Sequence, residues 1–106
     1  MRYAYLGAAP GRQPIPAGVP VRLEVLAEFA MPASASKLSR LAAESEPPPM
    51  PVRPDLDNLV KTVLDGLNGV AWVDDGQVTE IVARKVRTAG MPRLVVGIEE
   101  YGNGHS

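Results

Sequence analysis

One run of the chain leaves its local structure little choice. From position 56 onward the apolar residues are Leu56, Leu59, Val60, Val63, Leu64 and Leu67, the spacing that gives a helix a single apolar stripe. Ahead of it stands EPPPMPVRP, positions 46 to 54. That stretch must be an extended connection, because proline lacks an N–H donor and pushes the residue before it out of the helical region. Behind it, Asn68 and Gly69 supply a left-handed stop. The spacing therefore predicts a helix from Leu56 to Leu67, and Asp55 or Asp57 at its start suits both an N-cap and the positive end of the helix dipole.

The rest of the chain reads mainly as strands. VRLEVLAEFA, positions 21 to 30, alternates with period two: Val21, Leu23, Val25, Ala27 and Phe29 face one side, and Arg22, Glu24 and Glu28 the other. Positions 34 to 46, SASKLSRLAAESE, start at a serine cap and predict a short helix with a thin stripe of Leu38, Leu41 and Ala42. Val70 to Val73 read as a brief strand ending in the turn Asp74-Asp75-Gly76. QVTEIVARKVR (77 to 87) and RLVVGIEE (93 to 100), separated by TAGMP, predict an antiparallel hairpin, and the tail YGNGHS is expected to fray. A chain of 106 residues holds one core. The expectation is a single domain, 1 to 106, of α+β class: a small, mainly antiparallel sheet with one strong and one weak helix.

Composition removes several kinds of chemistry. There is no cysteine, so disulfides, thiolate metal sites and cysteine nucleophiles are excluded. The single histidine, His105, sits in the tail, which leaves no Ser-His-Asp or histidine-metal arrangement. No glycine pattern cradles a nucleotide phosphate, and an EF-hand counted from Asp55 would place Val60 where glycine is required and Gly66 where glutamate is. With neither a signal-peptide core nor a membrane-length apolar run, the expected location is the cytoplasm, with no membrane and no nucleotide cofactor.

The acidic residues are unevenly placed. All five aspartates, Asp55, Asp57, Asp65, Asp74 and Asp75, fall within positions 55 to 75. Solvated carboxylates have no reason to crowd together unless a cation offsets their repulsion. Hard oxygen donors suit Mg²⁺ or Mn²⁺, which keeps several waters and completes its shell with substrate phosphate. Asp57 and Lys61 share a helical face, and a lysine beside a metal adds fixed positive charge where a phosphodiester transition state is most anionic. Taken singly, these residues have plainer readings: a helix cap at Asp55, a surface pair of Asp57 with Lys61, and an ordinary turn at Asp74-Asp75-Gly76. Net charge is −1, and two divalent cations would make it roughly +3, so the loaded protein need not repel DNA. Lys37, Arg40, Arg53, Arg84, Lys85 and Arg87 are the candidate phosphate contacts. Trp72 reads as a packing residue rather than a base-stacking platform.

The segment RPDLDNLVKTVLDGLNGVAWVDDGQV, positions 53 to 78, resembles the signature of the RusA family of Holliday junction resolvases: an Asp-x-Asp-Asn-Leu-x-Lys helix start, a Leu-Asp-x-Leu and a Trp-x-Asp-Asp turn. The resemblance implies dimeric, Mg²⁺-dependent endonucleases of phage or prophage origin that nick four-way DNA junctions and leave 5′-phosphate ends. It implies that Asp55, Asp57 and Asp75 bind metal and catalyse, that Lys61 is essential, that Asp74 neighbours the metal and that Asp65 supports it. SKLSR at 36 to 40 resembles a basic stretch of phage-type members. The front, MRYAYLGAAPGRQPIPAG, departs from the pattern, being too short and proline-rich for the family's first strand and helix. Two other readings stand beside this one: a non-catalytic junction-binding remnant, which the short front favours, and a nucleotide phosphohydrolase, which the missing phosphate loop disfavours.

Overall fold

The computed structural model describes residues 13–100. Strand β1 (Val21–Ala30) is followed by helix α1 (Lys37–Ser45), helix α2 (Leu56–Leu67), a 3-10 turn (Asp75–Gln77) and strands β2 (Val78–Thr88) and β3 (Arg93–Glu100). The strands form a three-stranded sheet in the order β2-β1-β3. β1 runs parallel to β2 and antiparallel to β3. The α+β class therefore stands, with a mixed sheet.

The expected hairpin does not form, because β1 lies between β2 and β3. Crossing one strand means covering two strand spacings, about 10 Å, and the four residues from Ala89 to Pro92 can span that when extended. They pass over the end of β1, where Met31 N–H donates to the Thr88 carbonyl at 3.3 Å. A loop of hairpin length thus serves equally as a bridge, and β1, apolar on one face, takes both ladders. The brief strand expected at Val70 to Val73 is also absent. Gly69 N–H donates to the Trp72 carbonyl at 2.8 Å and closes a turn, leaving isolated bridges from Trp72 to Ile15 and Asn68.

The other elements form as their sequences dictate. Ser36 caps α1, its hydroxyl accepting from Ser39 N–H at 3.0 Å. At the end of α2, Gly69 takes φ +80°, a conformation glycine reaches without a Cβ penalty. Val63 and Leu67 of α2 enter one core with Val21, Leu23, Val25 and Ala27 of β1, Leu94 and Val96 of β3, Ala71 and Trp72. Ala43, Met50 and Val86 are buried apart from that core. Leu38 and Leu41 of α1 stay exposed. The opposite face of the sheet carries ion pairs beside Leu26, Val82 and Val95: Arg22 pairs with Glu24 at 2.9 Å and Glu80 at 3.4 Å, and Arg93 with Glu28 at 2.6 Å. Arg22 is held charged beyond its ordinary range, first by its hydrogen bond with Glu24. The tail expected to fray, His105 and the first twelve positions of the unusual front lie outside the described residues.

Candidate active site

The proline-rich connection delivers the chain to α2 at an open surface. Asp55 is the N-cap: its backbone is extended, at φ −67° and ψ 142°, and its carbonyl accepts Leu59 N–H at 3.1 Å. Its carboxylate makes no capping hydrogen bond. A carboxylate at a helix mouth that does not turn back onto the amides keeps both oxygens uncommitted, while the dipole still favours its charge. Asp57 lies in the first turn of α2. Asp55, Asp57, Lys61 and Asp65 are all exposed. Arg53, Pro54, Asp55 and Asn58 line an open groove of about 400 Å³.

Asp75 is held differently. Its Oδ1 accepts the indole N–H of Trp72 at 2.8 Å, and that indole is fully buried. The core therefore fixes the orientation of a half-buried carboxylate. Asp74 caps the 3-10 turn, its Oδ2 accepting from Gly76 N–H at 2.9 Å. The contact is close enough that a Cβ on Gly76 would meet that oxygen at 2.8 Å.

Sequence reasoning missed the residue that anchors this turn. Gln77 is buried; its Oε1 accepts from Val73 N–H and Asp74 N–H, both at 2.9 Å. Its Nε2 donates to the carbonyls of Pro16 at 2.7 Å and Val19 at 3.1 Å. One carboxamide thus ties the Asp74-Asp75 turn to the segment entering β1. The signal was present: an aspartate followed three residues later by glutamine is the capping-box spacing.

The two carboxylate-bearing regions meet the chemistry of a hard cation without forming a closed cage. Among the described residues, no three acidic side chains are gathered closely enough to cage an ion. Mg²⁺ does not require one, since it is usually held by one or two carboxylates together with water and substrate phosphate. The uncommitted Asp55 carboxylate, with Asp57 two positions on, fits that donor chemistry. No ion pair joins Lys61 to Asp57 among the described residues.

The six candidate phosphate contacts do not share one surface. Arg53 lines the groove with Asp55. Arg84 stands opposite Leu26, on the sheet face away from α2, beside Glu24 and Gly97. Arg40 donates to the Pro32 carbonyl at 3.0 Å and Arg87 to the Ala30 carbonyl at 3.2 Å. Lys85 is bound to two carbonyls of the proline-rich connection. Lys37 begins α1 and is exposed.

The α+β domain thus presents free carboxylates at the mouth of α2 with Arg53 alongside. The family model for endodeoxyribonuclease RusA matches residues 2–99, so the chain belongs to the RusA endodeoxyribonuclease family, whose members act as Holliday junction nucleases. That match takes in the proline-rich front. Neither the curated proteins nor the solved structures returned a match. No helix among the described residues is long and apolar enough to cross a membrane.

Proposed function

We propose that this protein is a Mg²⁺-dependent endonuclease that nicks four-way DNA junctions, with Asp55, Asp57 and Asp75 as its metal-binding carboxylates and Mn²⁺ as an alternative ion. The observation that carries the reading is the uncommitted Asp55 carboxylate at the mouth of α2, in a chain of the RusA family. A bound ion would supply Lewis acidity and a hydroxide near neutral pH. Lys61, one turn beyond Asp57, adds positive charge for the phosphate oxygens, and Asp74 and Asp65 raise the local negative potential that attracts the cation. Asp75 is oriented by the indole N–H of Trp72 on its Oδ1. Arg53, at the groove beside Asp55, is the basic residue best placed for a phosphate near the site. Lys37, Arg40, Arg84 and Arg87 would meet more distant phosphates of a branched substrate.

A four-way junction has approximate two-fold symmetry and requires two matched nicks, which a homodimer supplies with one site per subunit. Exposed Leu38, Leu41, Ile81 and Val82 leave apolar surface for such pairing. The proposed setting is the cytoplasm of a cell carrying phage or prophage DNA. A second reading is a junction-binding protein without cleavage, in which Asp55 is only a helix cap and Asp75 only a turn residue. Incubating the protein with labelled four-way junction and linear duplex, in Mg²⁺ or EDTA, separates the two. Nicks with 5′-phosphate ends, confined to the junction and to Mg²⁺, are expected. A junction bound but uncut in Mg²⁺ would establish the second reading.

A further inference from the structure

The ammonium of Lys85, a candidate phosphate contact by its sequence, is already engaged. Its Nζ donates to the carbonyl of Val52 at 2.7 Å and to that of Pro54 at 2.8 Å. Two short, charge-assisted bonds use two of the three donors an ammonium has. The backbone adds to the grip: Met50 N–H donates to the Lys85 carbonyl at 3.1 Å, and Arg87 N–H to the Pro48 carbonyl at 2.9 Å. A segment this rich in proline has few donors of its own and depends on others to fix it. Lys85 stands opposite Ala27, on the sheet face that carries α2. The residue it holds, Pro54, is covalently joined to Asp55.

We propose that Lys85 is a positioning residue for the active site, one that clamps the Val52 to Pro54 segment and thereby fixes where α2 begins and where Asp55 and Asp57 are presented. Asp55 does not fix itself, since its carboxylate makes no capping bond. A carbonyl held from outside the helix takes over that task. The inference rests on the reading of Asp55 and Asp57 as metal-bearing groups, and it reassigns Lys85 from DNA to the protein's own backbone.

The test compares Lys85→Met, which keeps the apolar stem and removes the ammonium, with Lys85→Arg, which keeps charge and donors. In metal-free protein, amide hydrogen exchange over residues 52 to 60 is expected to rise about fivefold in Lys85→Met, with β1 unchanged and Lys85→Arg close to wild type. The Mg²⁺ concentration for half-maximal cleavage should rise about fivefold in Lys85→Met, with most of the rate regained at saturating Mg²⁺. Affinity for the four-way junction in EDTA should not change. Unchanged exchange together with weaker junction binding would return Lys85 to the DNA contacts and overturn the proposal. Faster exchange throughout the chain would overturn it too, because the role would then be global stability. If wild-type protein cuts no junction, the nuclease reading fails while the exchange experiment still decides whether Lys85 is the clamp.

Discussion

At the scale of single residues, the proposed site divides into groups that would do chemistry and groups that hold them. Asp75→Asn should abolish cleavage with little loss of stability, because asparagine keeps an oxygen to accept the Trp72 indole N–H while losing the charge a cation needs. Junction cleavage and a thermal melt of the same sample check it, and normal cleavage would remove Asp75 from the site. Gln77→Ala should cost about 3 kcal/mol, since it removes a buried carboxamide together with its part-buried hydrogen bonds to two backbone N–H groups and two carbonyls. For a domain of this size that lowers the melting temperature by more than about 10 °C. A shift of a degree or two would mean that the turn holds itself. Lys61→Ala should slow single-turnover cleavage by orders of magnitude and leave the melting temperature unchanged, as no ion pair with Asp57 is lost. A wild-type rate would return Lys61 to an ordinary surface role.

At the scale of elements, the local rules worked where a single face decides the outcome. The boundaries of α2, the alternation of β1 and the left-handed stop at Gly69 all follow from spacing and from one glycine. Gly69→Ala accordingly should cost about 1 kcal/mol, because the space around it is open and only the positive φ is unfavourable; denaturant unfolding measures it, and no change would imply that the turn adapts freely. Strand pairing was not legible in the same way. β2 and β3 are each β-rich, and nothing in either says that β1 lies between them; that depends on which pairing best covers the apolar face of β1, a property of three segments together. Val70 to Val73 carry strand-forming residues, yet the buried Trp72 and the Gly69 turn override them. The aspartate cluster marks the candidate site in the sequence, whereas the contacts of the Gln77 Nε2 and of the Lys85 ammonium join segments distant in sequence.

At the scale of the whole molecule, a small mixed sheet covered by α2 leaves ion pairs and apolar side chains together on its other face and α1 with exposed leucines. A symmetric substrate and this uncovered apolar surface lead to the same expectation, a homodimer in solution. Light scattering at micromolar concentration should give twice the chain mass, and a monomer both with and without DNA would count against it. If carboxylates at the mouth of α2 carry the chemistry, single-turnover cleavage of a four-way junction by Asp57→Asn, at saturating protein and Mg²⁺, will reveal it. Junction bound with near wild-type affinity and cleaved at least about a thousandfold more slowly is expected; cleavage at the wild-type rate would move the chemistry away from Asp57.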